Sequence, residues 1–182
     1  MQVIELELPG VRLLQPTLAR DERGGFVEAW NLRTLAAAGI SANFVQENVS
    51  ASGQYVLRGL HYQLRPAQGK LIRVLQGRIF DVVVDLRRSS ATYGRATCME
   101  MYPGEYRSLW VPPGFAHGFL SLSASTLVQY AVTEHWSAES ERVIAWNDAS
   151  LDIAWPLPRG VEPTLSDKDR AGVLLRSAET YP

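Results

Sequence analysis

Of the side chains able to take up a proton near neutral pH, the chain offers three histidines: His61, His117 and His135. An ordinary imidazole, with a pKa of about 6.5, is largely neutral at pH 7 and suits the removal of a weakly acidic proton. His61 stands in Val56-Leu57-Arg58-Gly59-Leu60-His61-Tyr62-Gln63, an apolar stretch that carries an arginine and a histidine together. Strand alternation sends Arg58 and His61 to opposite faces, and Gly59 offers a bulge that would turn both toward one cavity. The competing reading is a core histidine satisfied by a backbone carbonyl. Lysine is scarce: of 18 basic residues only Lys70 and Lys168 are lysines. Lys70 follows a glycine in Ala67-Gln68-Gly69-Lys70-Leu71, and its compact charge suits a phosphate oxygen or a developing enolate. A solvated strand-edge lysine is the plainer alternative. Tyr130 and Trp136 read by default as packing aromatics, Asp21-Glu22-Arg23-Gly24-Gly25 as a turn, and Glu28 as surface charge on the strand after it.

Such groups need strands to hold them. In Arg78-Ile79-Phe80-Asp81-Val82-Val83-Val84-Asp85-Leu86 the even positions Phe80, Val82, Val84 and Leu86 are all apolar and the odd ones include two aspartates, which predicts one inward face. Similar runs cover residues 70–75, 108–111, 117–122 and 126–133, separated by turn chemistry such as Gln76-Gly77 and Tyr102-Pro103-Gly104. Strands at roughly 8–12-residue spacing indicate a sandwich or barrel. Helix is sparse: residues 32–38 end on Gly39, and short turns are expected at 137–142 and 167–175. The reading is an all-β jelly-roll sandwich with a few short helices, one domain over residues 1–182.

Composition narrows the function. The 182 residues are 46% hydrophobic and 20% charged, too apolar and too evenly charged for a disordered chain. A net charge of -1 with interspersed signs gives no basic face for nucleic acid or an anionic membrane. Cys98, the one cysteine, has no internal disulfide partner, which suits a reducing compartment. With no leader-like start and no long apolar run, a cytoplasmic location and no membrane partner are expected.

Pro112-Pro113-Gly114-Phe115-Ala116-His117 matches the second cupin motif, in which a turn feeds a strand whose first inward residue is histidine. Metal-binding cupins add a His-x-His upstream; here that stretch is His61-Tyr62-Gln63, and too few ligands remain for a metal. Other blocks extend the likeness over nearly the whole chain. They include Phe44-Val45-Gln46-Glu47-Asn48, Leu57-Arg58-Gly59-Leu60-His61-Tyr62-Gln63, Leu109-Trp110-Val111-Pro112, Trp146-Asn147-Asp148 and Leu165-Ser166-Asp167-Lys168-Asp169. In this order they resemble the deoxysugar epimerases typified by dTDP-4-dehydrorhamnose 3,5-epimerase.

The resemblance implies a metal-free, cofactor-free, cupin-like fold, usually a homodimer, that acts on dTDP-4-dehydro-6-deoxy-D-glucose and inverts the two carbons flanking its ketone. It places the general base on His61, the base's carboxylate partner on Asp169, the opposing proton donor on Tyr130, and the lysine beside the C4 oxygen on Lys70. Substrate contacts fall on Arg58, His117, Glu141 and Lys168, and nucleotide-side contacts on Arg23, Glu28, Gln46, Glu47 and Asn48. Trp136 takes the place of the aromatic that stacks on thymine. Gly25 replaces a common phenylalanine, and Glu47 stands where aspartate is frequent. Rival expectations are a single-centre 3-epimerase, a 3,4-ketoisomerase and a non-catalytic sugar-nucleotide binder. A binder has no use for a His–Asp pair facing a tyrosine.

Overall fold

The computed structural model describes residues Met1–Pro182 as two antiparallel sheets packed face to face, with a small hairpin at the side. The strands are β1 (Gln2–Glu5), β2 (Arg12–Gln15), β3 (Leu18–Asp21), β4 (Gly24–Val27), β5 (Gln46–Ser52), β6 (Leu57–Gln63) and β7 (Lys70–Gln76). Then come β8 (Ile79–Asp85), β9 (Ala96–Met101), β10 (Ser108–Val111), β11 (Phe115–Ser121), β12 (Thr126–Val132) and β13 (Glu141–Val143). One sheet runs β1-β2-β10-β7-β12-β5 and the other β13-β6-β11-β8-β9, while β3 pairs only with β4. This is the jelly-roll sandwich expected from the strand spacing.

The core lies between the sheets. Ile72 and Val74 of β7, Leu109 and Val111 of β10 and Val128 of β12 meet Ile79 and Val83 of β8 and Phe115 and Phe119 of β11. Alternation along these strands puts Lys70, Tyr130, Asp81 and His117 on the same inner faces as this apolar core.

β8 departs from expectation. Its even positions, Val82 and Val84, do not face the other sheet; they pack under a coat made by Ile144, Leu151, Leu175 and Ala178. The odd positions, Ile79, Asp81, Val83 and Asp85, face the interior, so both faces of the strand are buried. The reason is the C-terminal stretch, which has little regular structure yet supplies the outer coat. The opposite sheet is covered by α1 (Leu32–Ala37), whose Leu35 packs with Leu71, Trp110 and Ala131. Asn31 caps α1 by accepting from the Thr34 backbone amide at 2.9 Å, and the chain leaves it through Gly39 at φ +70°. The helical turn expected at 137–142 is a turn only as far as Ser140; Glu141 and Arg142 belong to β13, paired with Gln63 and Tyr62. Of the 167–175 stretch, only α2 (Asp167–Arg170) is helical before a short 3-10 turn at Leu175–Ser177.

Candidate active site

The site begins with a bulge. In the β6–β11 ladder Arg58 faces Phe119 and His61 faces His117, so Gly59 and Leu60 stand opposite Gly118 alone. The extra residue resets the alternation. Leu60 and Tyr62 turn outward under the C-terminal coat, while Arg58, His61 and Gln63 all line one cavity. Gly59 is required here: its φ is +130°, and a Cβ would lie 2.6 Å from the Gly118 Cα.

His61 Nε2 donates to Asp169 Oδ1 at 2.5 Å, leaving Nδ1 as the ring nitrogen with no partner in the chain. Asp169 sits in the first turn of α2, where Ser166 Oγ accepts from its backbone amide at 3.1 Å and donates to its Oδ2 at 2.7 Å. This reciprocal cap is built by Ser166-Asp167-Lys168-Asp169 and fixes the carboxylate before the imidazole meets it. Burial alone would raise the Asp169 pKa. The bonds from His61, Ser166 and the Gly59 backbone outweigh it and hold the group below the ordinary carboxylate range. Asp169 therefore remains an anion, ready to stabilise an imidazolium.

The facing sheet brings Lys70 at the start of β7, Tyr130 on β12, and Gln46 and Asn48 on β5. Lys70 is buried, and its side chain makes no hydrogen bond within the chain. Burial pushes its ammonium down from 10.5 to about 8, opposed by the Glu141 carboxylate. Burial also raises the Tyr130 phenol, offset in part by Arg58 and reinforced by Glu141, so it stays protonated well above neutrality. Glu141 in turn holds Lys168 at 2.8 Å. His117 Nε2 meets Asp81 Oδ2 at 2.8 Å, and the other oxygen of Asp81 is buried without a partner.

Gln46, Asn48, Lys70, His117, Tyr130, Glu141 and Lys168 line one cavity of about 260 Å³ with Arg58, His61 and Gln63, and Trp136, 57% exposed, stands at its rim. Asp169 stands behind His61 rather than in the wall. Three expected nucleotide contacts are not brought to the cavity. Glu47 is corrected by alternation: it lies between Gln46 and Asn48 on β5, so its side chain reaches the outer face of the sheet, near Arg73 and Gln129. Arg23 pairs with Asp21 at 2.5 Å at the tip of the β3–β4 hairpin, and Glu28, just past β4 rather than on a strand, accepts from Asn31. Neither touches the cavity within this chain, because the hairpin stands off the sandwich.

Sequence reasoning missed Asp81 as the partner of His117, and it assigned no part to Gln63 and Gln68 in the wall. An aspartate on the buried face of an otherwise apolar strand was the available signal for the first. His61 and His117 are neighbours across the ladder, yet each spends Nε2 on its own carboxylate. No three His, Cys, Asp or Glu side chains converge as a metal would require. The arrangement can take a proton from carbon on the side of one sheet, steady an oxyanion with Lys70, and return a proton from the side of the other.

Comparison with known proteins agrees with this chemistry. The family described as dTDP-4-dehydrorhamnose 3,5-epimerase matches residues 5–177. The chain is 45% identical to the dTDP-4-dehydrorhamnose 3,5-epimerase of Pseudomonas aeruginosa over 183 aligned positions, covering 100% of both. It superposes with a TM-score of 0.93 and 40% identity on the dTDP-6-deoxy-D-glucose-3,5-epimerase of Legionella pneumophila in complex with dTDP-4-keto-L-rhamnose, over 98% of this chain and 94% of that one. A 3'-monoepimerase of Streptomyces bikiniensis in complex with dTDP-quinovose is similar at 30% identity and a TM-score of 0.87, over 94% of this chain and 87% of that one.

Proposed function

The chain belongs to the dTDP-4-dehydrorhamnose 3,5-epimerase family, and we propose that it converts dTDP-4-dehydro-6-deoxy-D-glucose to dTDP-4-dehydro-L-rhamnose by inverting C3 and C5. The observation that carries this reading is the placement of His61 and Tyr130 on opposing sheets across one cavity. Inversion needs removal of a proton from one face of a carbon and delivery to the other, and one group cannot do both.

In this reading the Nδ1 of His61 takes the proton next to the ketone while Asp169 stabilises the imidazolium. Lys70 donates to the C4 oxygen as it becomes an enolate, and its burial makes that charge more effective than it would be in water. Tyr130 then supplies the proton on the far face. Arg58 and Lys168 add positive charge suited to the diphosphate, which carries no reactivity but holds the sugar in register. Trp136 stacks on thymine, with Gln46 and Asn48 at the same end. No step calls for a redox group.

The partner in solution, in this reading, is a second copy. Arg23 and Glu28 stand outside the cavity on a hairpin whose Phe26 is 74% exposed, and β5 is a free sheet edge bearing an exposed Val49. A symmetric dimer would cover these surfaces and bring the hairpin to the partner's nucleotide end. Light scattering tests this: a monomer at micromolar concentration removes it.

The single-centre 3-epimerase shares the fold, so the activity is tested by proton NMR in deuterium oxide. Loss of both H3 and H5 signals, with inverted product, is expected. Exchange confined to H3 would assign the chain to the single-centre reaction, and no exchange at either carbon would leave only sugar-nucleotide binding.

A further inference from the structure

The loop of residues 133–140 carries Trp136 to the cavity rim, yet it belongs to no strand or helix. Four consecutive residues of it are held by glutamine side chains from outside. Gln68 Nε2 donates to the Glu134 carbonyl at 2.7 Å and Gln63 Nε2 to the His135 carbonyl at 3.1 Å. Gln46 Oε1 accepts from the Trp136 amide at 3.1 Å, and Gln63 Oε1 accepts from the Ser137 amide at 2.9 Å. The three glutamines come from β5 of one sheet, β6 of the other, and the loop between β6 and β7.

Their capacity is largely used up. Gln63 is 3% exposed, and its second N–H goes to the Pro66 carbonyl at 2.9 Å, which ties the β6–β7 loop to the same clamp. Gln46 spends an N–H on Asn48 Oδ1 at 2.9 Å. A carboxamide both donates and accepts, so a single side chain can grip a carbonyl and an amide two residues apart, as Gln63 does. In a loop without a strand neighbour, these side chains stand in for the missing ladder.

We infer that Gln46, Gln63 and Gln68 form a clamp that fixes the 133–140 loop and so holds Trp136 in place over the nucleotide end of the cavity, with Gln63 as the principal positioning residue. The inference rests on the stacking role proposed for Trp136. Gln63 acts through the loop and touches no reacting atom, so its loss weakens nucleotide binding far more than it slows turnover.

Gln63→Met keeps the volume and removes the hydrogen bonds. NMR-detected hydrogen exchange should show the Ser137 amide exchanging at least tenfold faster, with core amides of β7 and β12 unchanged. Affinity for dTDP alone should fall roughly tenfold, as expected for losing much of an aromatic–base stack, while kcat changes far less. In a Trp136→Ala background the same substitution should cost no further affinity. Gln46→Met is the second variant, read at the Trp136 amide. Unchanged exchange at both amides overturns the clamp, as does faster exchange with full dTDP affinity. An equal loss of affinity in the Trp136→Ala background reduces Gln63 to a structural residue and also overturns it. Failure of the underlying reading is separate: Trp136→Ala with undiminished dTDP affinity would remove the stack, before any glutamine is changed.

Discussion

Lys70 makes activity and stability respond to alkaline pH with opposite signs. Its ammonium is buried among Glu141 of β13, Lys168 of α2, His61 and Arg58 of β6, His117 of β11 and Tyr130 of β12, and Glu141 is the carboxylate that supports its charge. With a pKa of about 8 instead of 10.5, the protonated form needed at the C4 oxygen drops roughly tenfold between pH 7 and pH 9. kcat/KM should follow it, losing about tenfold per further pH unit. Stability runs the other way. Between about 8 and 10.5 the unfolded chain holds a proton that the folded chain has released, so unfolding free energy rises with pH through that window. At about 1.4 kcal/mol per pH unit, the gain approaches roughly 3 kcal/mol. The assays are a kcat/KM–pH profile and urea unfolding at pH 7.5 and 9.5, on wild type and on Lys70→Met, in which the stability gain should vanish. Glu141→Gln removes the carboxylate that props the ammonium up and should move the alkaline limb to lower pH. Bound diphosphate should shift the kcat limb upward relative to that of kcat/KM. A kcat/KM limb near pH 10, or activity and stability falling together above pH 8, would refute the reasoning.

Other perturbations follow from the same geometry. His61→Asn should abolish solvent exchange at both C3 and C5, a loss of roughly 10²–10⁴ or more in rate, in a protein with an unchanged circular dichroism spectrum; normal exchange would dismiss His61 as the base. Tyr130→Phe keeps the ring and deletes the acid, so deuterium should enter recovered substrate with its original configuration while C5 inversion falls sharply; undiminished inversion at C5 would point to another donor. Gly59→Ala sets a Cβ 2.6 Å from the Gly118 Cα at φ +130°, and should cost about 2–4 kcal/mol in urea unfolding together with most of the activity. Wild-type stability in that variant would mean that the bulge does not need its glycine.

What the sequence disclosed and what it concealed both follow from the range over which each signal acts. The Gly59 bulge was legible because a glycine between an arginine and a histidine is a local pattern, and the ladder shows its effect: Arg58 and His61 reach one cavity. Glu47 was grouped with Gln46 and Asn48 because matching blocks read as continuous lines of text, whereas neighbouring residues on a strand face opposite ways. β8 misled in a related manner. Its alternation was plain, but which face met the other sheet depended on a coat formed by residues as distant as Leu175 and Ala178. The pairing of His117 with Asp81 is set by the β8–β11 register, 36 positions apart in the chain, and no local spacing carries that information. The glutamine clamp was hidden for another reason: a glutamine in a sequence looks like solvent-facing polarity until the loop it must satisfy is seen.

The same limit hides why the site occupies one side of the sandwich. On β7, Lys70 shares a face with Ile72 and Val74; on β12, Tyr130 shares one with Val128; on β8, Asp81 shares one with Val83. Period-two alternation says which residues look inward, but not where the interior stops being dry. That boundary is drawn by what closes each side. On the side of β2, Leu8, Val11 and Leu13 join the apolar core. On the side of β5 and β6, Lys168 of α2 and Trp136 of the 133–140 loop line an opening instead of filling it, leaving room for a ligand among charges that would be costly to bury without one. Lys70 embodies that cost: its depressed pKa is the penalty for an ammonium kept ready in a pocket shaped for an anion. A fold selected for stability alone would place an apolar residue there, so a lysine in that position argues for catalysis more strongly than its spacing in the sequence could.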